Sequence, residues 1–146
     1  MKANRESGRC EMKELTVPAK TDRLNQVMEF IEEELNKTEC SAKVIMQIKV
    51  AVEEIYVNIA NYAYHPGEGN ATIRCLIQGD PKHVVIQFVD SGTPYNPLEK
   101  MDPDITQDAN HRQIGGLGIL MVKKMMDHIT YRQKGGKNIL TLKKNI

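Results

Sequence analysis

Residues 71–89 read ATIRCLIQ-GDPK-HVVIQFV, two runs in which apolar side chains recur at every second position, separated by four turn-forming residues. Side chains that alternate from face to face with this period predict β-strands at 71–78 and 83–89. A connection as short as Gly79-Asp80-Pro81-Lys82 joins neighbours running in opposite directions, so the pair predicts an antiparallel hairpin.

Upstream of the hairpin the period changes. From Asp22 to Asn36, Leu24, Val27, Met28, Ile31 and Leu35 fall at helical spacing, which predicts an amphipathic helix. Ser41 is an N-cap for a second, longer helix reaching about Tyr64. Residues 11–17 (EMKELTV) predict a first strand, closed by Pro18. Downstream, residues 90–116 are irregular, with Gly92, Pro94, Pro97, Pro103 and Gly115-Gly116 among them and Asp102, Asp104 and Asp108 between. A loop of that length inside a compact domain points to function. A helix is expected from Leu117 to about His128, then a hairpin of 129–134 and 137–144 turning at Gly135-Gly136. This order predicts an α+β two-layer sandwich: a mostly antiparallel mixed sheet with helices on one face. Strands and helices do not alternate throughout, so neither a Rossmann nor a P-loop arrangement is expected.

The 146 residues fit one domain, with residues 1–11 as a flexible N-terminus and 12–146 as the folded unit. Twenty basic residues against 19 acidic ones give a formal net charge of +1, which excludes the concentrated basic excess of a nucleic-acid-binding surface. Three cysteines, Cys10, Cys40 and Cys75, suit neither a disulfide framework nor a zinc site. No apolar run approaches the ~20 residues of a membrane span, and the polar N-terminus does not resemble a signal peptide. A cytoplasmic protein is expected.

Three segments carry chemistry. On the second helix, at about 100° per residue, Asn58 lies near +40° and Asn61 near −20° of Glu54, all on one narrow stripe. The main apolar positions (Val44, Ile48, Val52, Ile55, Ile59) centre to one side, Val50 and Val57 flank the other, and Lys49, Glu53 and Tyr56 are expected to form the exposed face. A carboxylate and amides between apolar flanks need partners, from the backbone or from a ligand with a metal ion. The second segment, Asp90-Ser91-Gly92-Thr93-Pro94, directly follows a hydrophobic strand. Its residues are all turn formers. The same carboxylate could accept the exocyclic amine of adenine, with Gly92 leaving room for the ring. The third, Gly115-Gly116-Leu117-Gly118, opens a helix, where backbone N–H groups and the helix dipole favour an anion. No lysine-bearing phosphate loop of the G-x-x-x-x-G-K-[ST] form occurs.

The stretches Glu54-Ile55-Tyr56-Val57-Asn58, Asp90-Ser91-Gly92-Thr93-Pro94-Tyr95-Asn96-Pro97 and Gly115-Gly116-Leu117-Gly118-Ile119 resemble, in order, the N, G1 and G2 boxes of the Bergerat-fold ATPases. These include gyrase-type topoisomerases, heat-shock-ninety chaperones, sensor histidine kinases and mismatch-repair ATPases. The forms AVEEIYVNIANYAY and DSGTPYNP are most similar to those of bacterial anti-sigma-factor serine kinases. The resemblance implies a Mg-ATP-dependent protein serine kinase domain. Asn58 would coordinate Mg²⁺ bridging the ATP phosphates, and Glu54 would act as general base on an incoming serine hydroxyl. Asn61 lies on the same stripe and joins the nucleotide site. Asp90 would bind the adenine amine beside Gly92; Gly116, Leu117 and Gly118 would line the phosphates; residues 98–114 would form a lid. Two departures stand out. Tyr62 occupies a position where many family members have His or Arg, and the phosphate-contacting basic residue has only Arg112 and His111 as candidates. Asn138 falls roughly where some relatives place a threonine near adenine.

The implied partners are a sigma factor, which the protein would sequester, and an anti-sigma antagonist of the sulfate-transporter/antagonist (STAS) type, which it would phosphorylate. The resemblance allows a homodimer and implies no direct contact with nucleic acid or membrane. The alternative reading is a non-catalytic regulatory module that binds a partner according to nucleotide state. A complete sensor histidine kinase is not expected, because the first histidine, His65, already follows the N box.

Overall fold

Strand pairing organises the molecule, which the computed structural model describes over residues 11–99 and 116–146. Five strands, β1 (Lys13–Pro18), β2 (Asn70–Gln78), β3 (His83–Asp90), β4 (His128–Lys134) and β5 (Lys137–Asn145), form one sheet in the order β1-β2-β3-β5-β4. Every neighbouring pair is antiparallel, so the described sheet contains no parallel pair. The hairpin of the opening stretch closes with Gln78 opposite His83. The β4–β5 hairpin turns at Gly135 and Gly136, whose φ angles of 60° and 76° suit the primed two-residue turn that matches strand twist.

Three helices cover one face: α1 (Leu24–Leu35), α2 (Ala42–Asn58) and α3 (Gly116–Met125). Ser41 caps α2 as expected, its Oγ accepting the Val44 N–H at 3.1 Å. The carbonyl of Met125, at the end of α3, accepts from Lys144 Nζ at 2.7 Å. α1 packs on α2, and α2 on α3. The inward alternation of the sheet (Ile73, Cys75, Ile86, Phe88, Leu140, Leu142) meets Val27, Ile31, Ile48, Val52, Ile55 and Val122 from the helices in one core. The expected two-layer α+β sandwich is therefore present. Among the described residues no helix is long and apolar enough to cross a membrane, and Cys40 and Cys75 are free thiols. Burial pushes the Cys75 thiol up to about 12.

Two features of α2 depart from expectation. Tyr56, assigned to an exposed face, is 0% exposed. Its hydroxyl donates to the Lys20 carbonyl at 2.6 Å and accepts the Lys20 N–H at 3.2 Å, tying the segment after β1 to the helix. Lys49, on the same side, is half-buried and bonds Glu32 of α1 at 2.8 Å. The reason is tertiary: α1 and the β1–α1 connection cover this face. The second departure is at the end of the helix, which continues past Asn58 as a π-helical turn, Ile59–Ala63. The regular count of about 100° per residue ends there.

Candidate functional site

Glu54 and Asn58 sit one turn apart on the C-terminal half of α2, with the Asn58 amide close enough to act on the Glu54 carboxyl. This contact favours the ionised carboxylate, as an amide N–H donated to Glu54 would, leaving the amide oxygen of Asn58 for another partner. Burial, followed by the neighbouring charge of Glu53, nevertheless holds the Glu54 carboxyl above its ordinary value. The carboxylate lies directly against Gly118 near the start of α3, where a β-carbon would overlap both Glu54 oxygens. N-box and G2-box residues therefore meet, and glycine at 118 makes room for the glutamate.

The G1 turn is fastened to the same helix. The Thr93 N–H donates to the Ala63 carbonyl at 2.8 Å. A β-carbon on Gly92 would collide with that same carbonyl, so glycine here permits the turn to pack against the end of the π-helical segment. This requirement adds to the room expected for a base. Tyr64 provides a second tether: its hydroxyl accepts the Ser91 N–H at 2.7 Å and donates to the Asn70 carbonyl at 2.6 Å.

Asp90 ends β3 at 7% exposure. Its Oδ1 accepts from the Gly92 N–H and from Asn138 Nδ2, each at 2.9 Å. Asn138 lies directly opposite Asp90 in the β3–β5 register. These contacts give the turn an internal structural role, as its composition allowed, and both end on one carboxylate oxygen.

Glu54, Asn58, Asp90, Gly92 and Gly118 are thus gathered along the C-terminal half of α2 and the turn beyond it. Gly116 and Leu117 open α3 as expected of the third segment. Asn61 departs from the predicted stripe: it is exposed and belongs to the π-helical turn, whose extra residue per turn breaks the alignment with Glu54. Arg112 and His111, and residues 100–114 of the expected lid, lie outside the described residues. The tethers Ala63 and Tyr64 depend on pairings between distant segments that spacing does not display; Asn138 was named through the resemblance, and what the structure adds is its bond to Asp90. An inward position for Tyr131, alternating with Ile129, was the one visible signal on β4.

The donor chemistry suits Mg²⁺ arriving with a polyphosphate rather than bound alone. Among the described residues no group of three or more His, Cys, Asp or Glu is placed to hold a metal. Asn58 can offer one hard amide oxygen, and phosphates and water would supply the rest.

An antiparallel sheet backed by three helices, with a Glu–Asn pair seated against a glycine-opened helix start, defines a Bergerat-type ATP-binding domain. Matching over residues 17–144, the chain belongs to the histidine kinase-like ATPase domain family. The serine/threonine-protein kinase BtrW of Bordetella bronchiseptica is 25% identical over 136 residues, covering 93% of this chain and 94% of that protein. The serine-protein kinase RsbW of Listeria monocytogenes is 30% identical over 107 residues, covering 69% and 67%. Among solved structures, the RsbU and RsbW domains of Rv1364c from Mycobacterium tuberculosis give a TM-score of 0.66 at 16% identity. That match spans 92% of this chain and 32% of the other, and is a likeness of fold.

Proposed function

We propose that the chain is an ATP-dependent protein serine kinase of the anti-sigma-factor type, working in the cytoplasm. Its relatives named serine-protein kinases support the reaction class. The observation that carries it is the Glu54 carboxylate, one turn from Asn58, pressed against Gly118 and raised above its ordinary value by burial. A carboxyl shifted upward is better matched to accepting a proton near neutral pH.

In this reading adenine lies against Gly92, with Asp90 accepting its amine, and the phosphates extend toward Asn58 and the start of α3. Asn58 offers its amide oxygen to Mg²⁺, which when bound neutralises charge on the phosphate oxygens. The backbone at Gly116, Leu117 and Gly118 faces the phosphates with the positive end of the helix dipole. Glu54 accepts the proton of a serine hydroxyl on the partner protein. The serine oxygen bonds to the γ-phosphorus as the bond to the β–γ bridging oxygen breaks, and ADP leaves with that electron pair. The protein substrate is a STAS-type antagonist, and the same domain sequesters a sigma factor.

Incubation with γ-labelled ATP, Mg²⁺ and a candidate STAS-type partner tests the reading. Label should move to a partner serine with wild type and not with Glu54→Ala, while ATP binding persists in both. Stable ATP binding without transfer in wild type would instead favour a nucleotide-dependent binding module.

A further inference from the structure

Asp90 is one end of a hydrogen-bond chain that runs to the edge of the sheet. Asn138 is 6% exposed. Its Nδ2 points at three acceptors: Asp90 Oδ1 at 2.9 Å, the Gly92 carbonyl at 3.2 Å and the Thr93 carbonyl at 3.4 Å. Its Oδ1 accepts the hydroxyl of Tyr131 at 2.6 Å. Tyr131 lies on the edge strand β4, opposite Leu140 and therefore diagonal to Asn138.

An amide has two unlike ends. Three acceptors around its nitrogen and one hydroxyl donor at its oxygen fix which end faces Asp90. With the nitrogen so placed, Oδ1 of Asp90 is held by two N–H donors, and rotating the carboxylate would break both bonds. The other oxygen is the one left to meet a ligand. An oxygen that can only accept suits a purine carrying an amino group at position 6 and repels one carrying a carbonyl there.

We propose that Tyr131 is a positioning residue for purine selectivity, acting through Asn138 to fix the acceptor that Asp90 presents. This rests on the reading in which Asp90 meets the base. Removing the Tyr131 hydroxyl leaves the buried Asn138 oxygen without its donor, so the amide turns or admits water and the Asp90 clamp loosens. Discrimination then falls, although Tyr131 never touches the nucleotide.

The test compares dissociation constants for Mg-ATP and Mg-ITP, whose bases differ in the group at position 6 and the accompanying proton on N1. Wild type, Tyr131→Phe, Asn138→Ala and the double variant are titrated, with thermal unfolding run alongside. Wild type should prefer ATP, and Tyr131→Phe should reduce that preference by about tenfold through weaker ATP binding. The double variant should discriminate no worse than Asn138→Ala alone, because Tyr131 acts through the amide. A merely structural Tyr131 leaves the ATP/ITP ratio untouched, and a wild-type ratio in Tyr131→Phe overturns the proposal. If Tyr131→Phe does not fold, a wild-type ratio in Asn138→Ala overturns it equally. A wild-type protein that binds both nucleotides alike removes the role of Asp90, and this inference goes with it. ATP selectivity that survives in the variants removes this inference alone.

Discussion

The carboxylate of Glu54 occupies the space that a side chain at position 118 would need. Helix α2 and the start of α3 therefore fit together as one steric unit, and the Glu54 carboxylate cannot take this place without the glycine. Gly118→Ala should lower phosphotransfer roughly 10²-fold by displacing the carboxylate, with ATP affinity changing far less. Glu54→Asp, shorter by one methylene, should recover part of that loss when combined with Gly118→Ala. Single-turnover transfer assays on the three variants measure this, and an unaffected Gly118→Ala contradicts it.

Glu54→Gln should abolish most transfer, by about 10²–10⁴-fold, while leaving the protein more stable at neutral pH. The folded-state value of this carboxyl lies above its unfolded one, so the native state holds the proton more tightly. Stability from this group therefore falls as pH rises through the interval between the two values, and above it the ionised carboxylate is unfavourable in place. Thermal unfolding across pH should show the variant's advantage at neutral pH and its disappearance below the ordinary carboxylate range.

Gly92→Ala should destabilise the fold by about 1–3 kcal/mol, because the new methyl group meets the Ala63 carbonyl and the turn must move. ATP affinity should drop with it, since the turn carries Asp90. Urea unfolding and nucleotide titration of the same preparation check both effects.

Tyr56→Phe should destabilise by about 1–3 kcal/mol, leaving the Lys20 backbone without its hydroxyl partner. Its hydroxyl faces the β1–α1 connection, so ATP affinity should stay at the wild-type level. A loss of affinity in folded protein would contradict the assignment of Tyr56 to structure alone.

The sheet was legible because alternation at residues 71–89 and 129–144 is a local pattern, as is the apolar stripe of α1. Glu54, Asn58, Asp90, Gly92 and the opening glycines of α3 could be picked out because each lies in a short ordered motif. Tyr56 could not, since the charges of Lys49 and Glu53 suggested solvent on a face that α1 and Lys20 cover. Nor could the displacement of Asn61, because the residues Ile59–Ala63 suit a regular helix as well as the π-helical turn they form. The reasons for glycine at 92 and 118 lie in Ala63 and Glu54, and the clamp on Asp90 lies in Asn138 and Tyr131. All of these are partners supplied by tertiary pairing.

Convergence on one nucleotide is tested most directly by following the backbone amides of Gly92 and Gly118 by NMR as ATP is added in the presence of Mg²⁺. Both amides should shift and saturate together with a single dissociation constant. If one responds while the other stays still at saturating ATP, the two segments do not serve the same ligand.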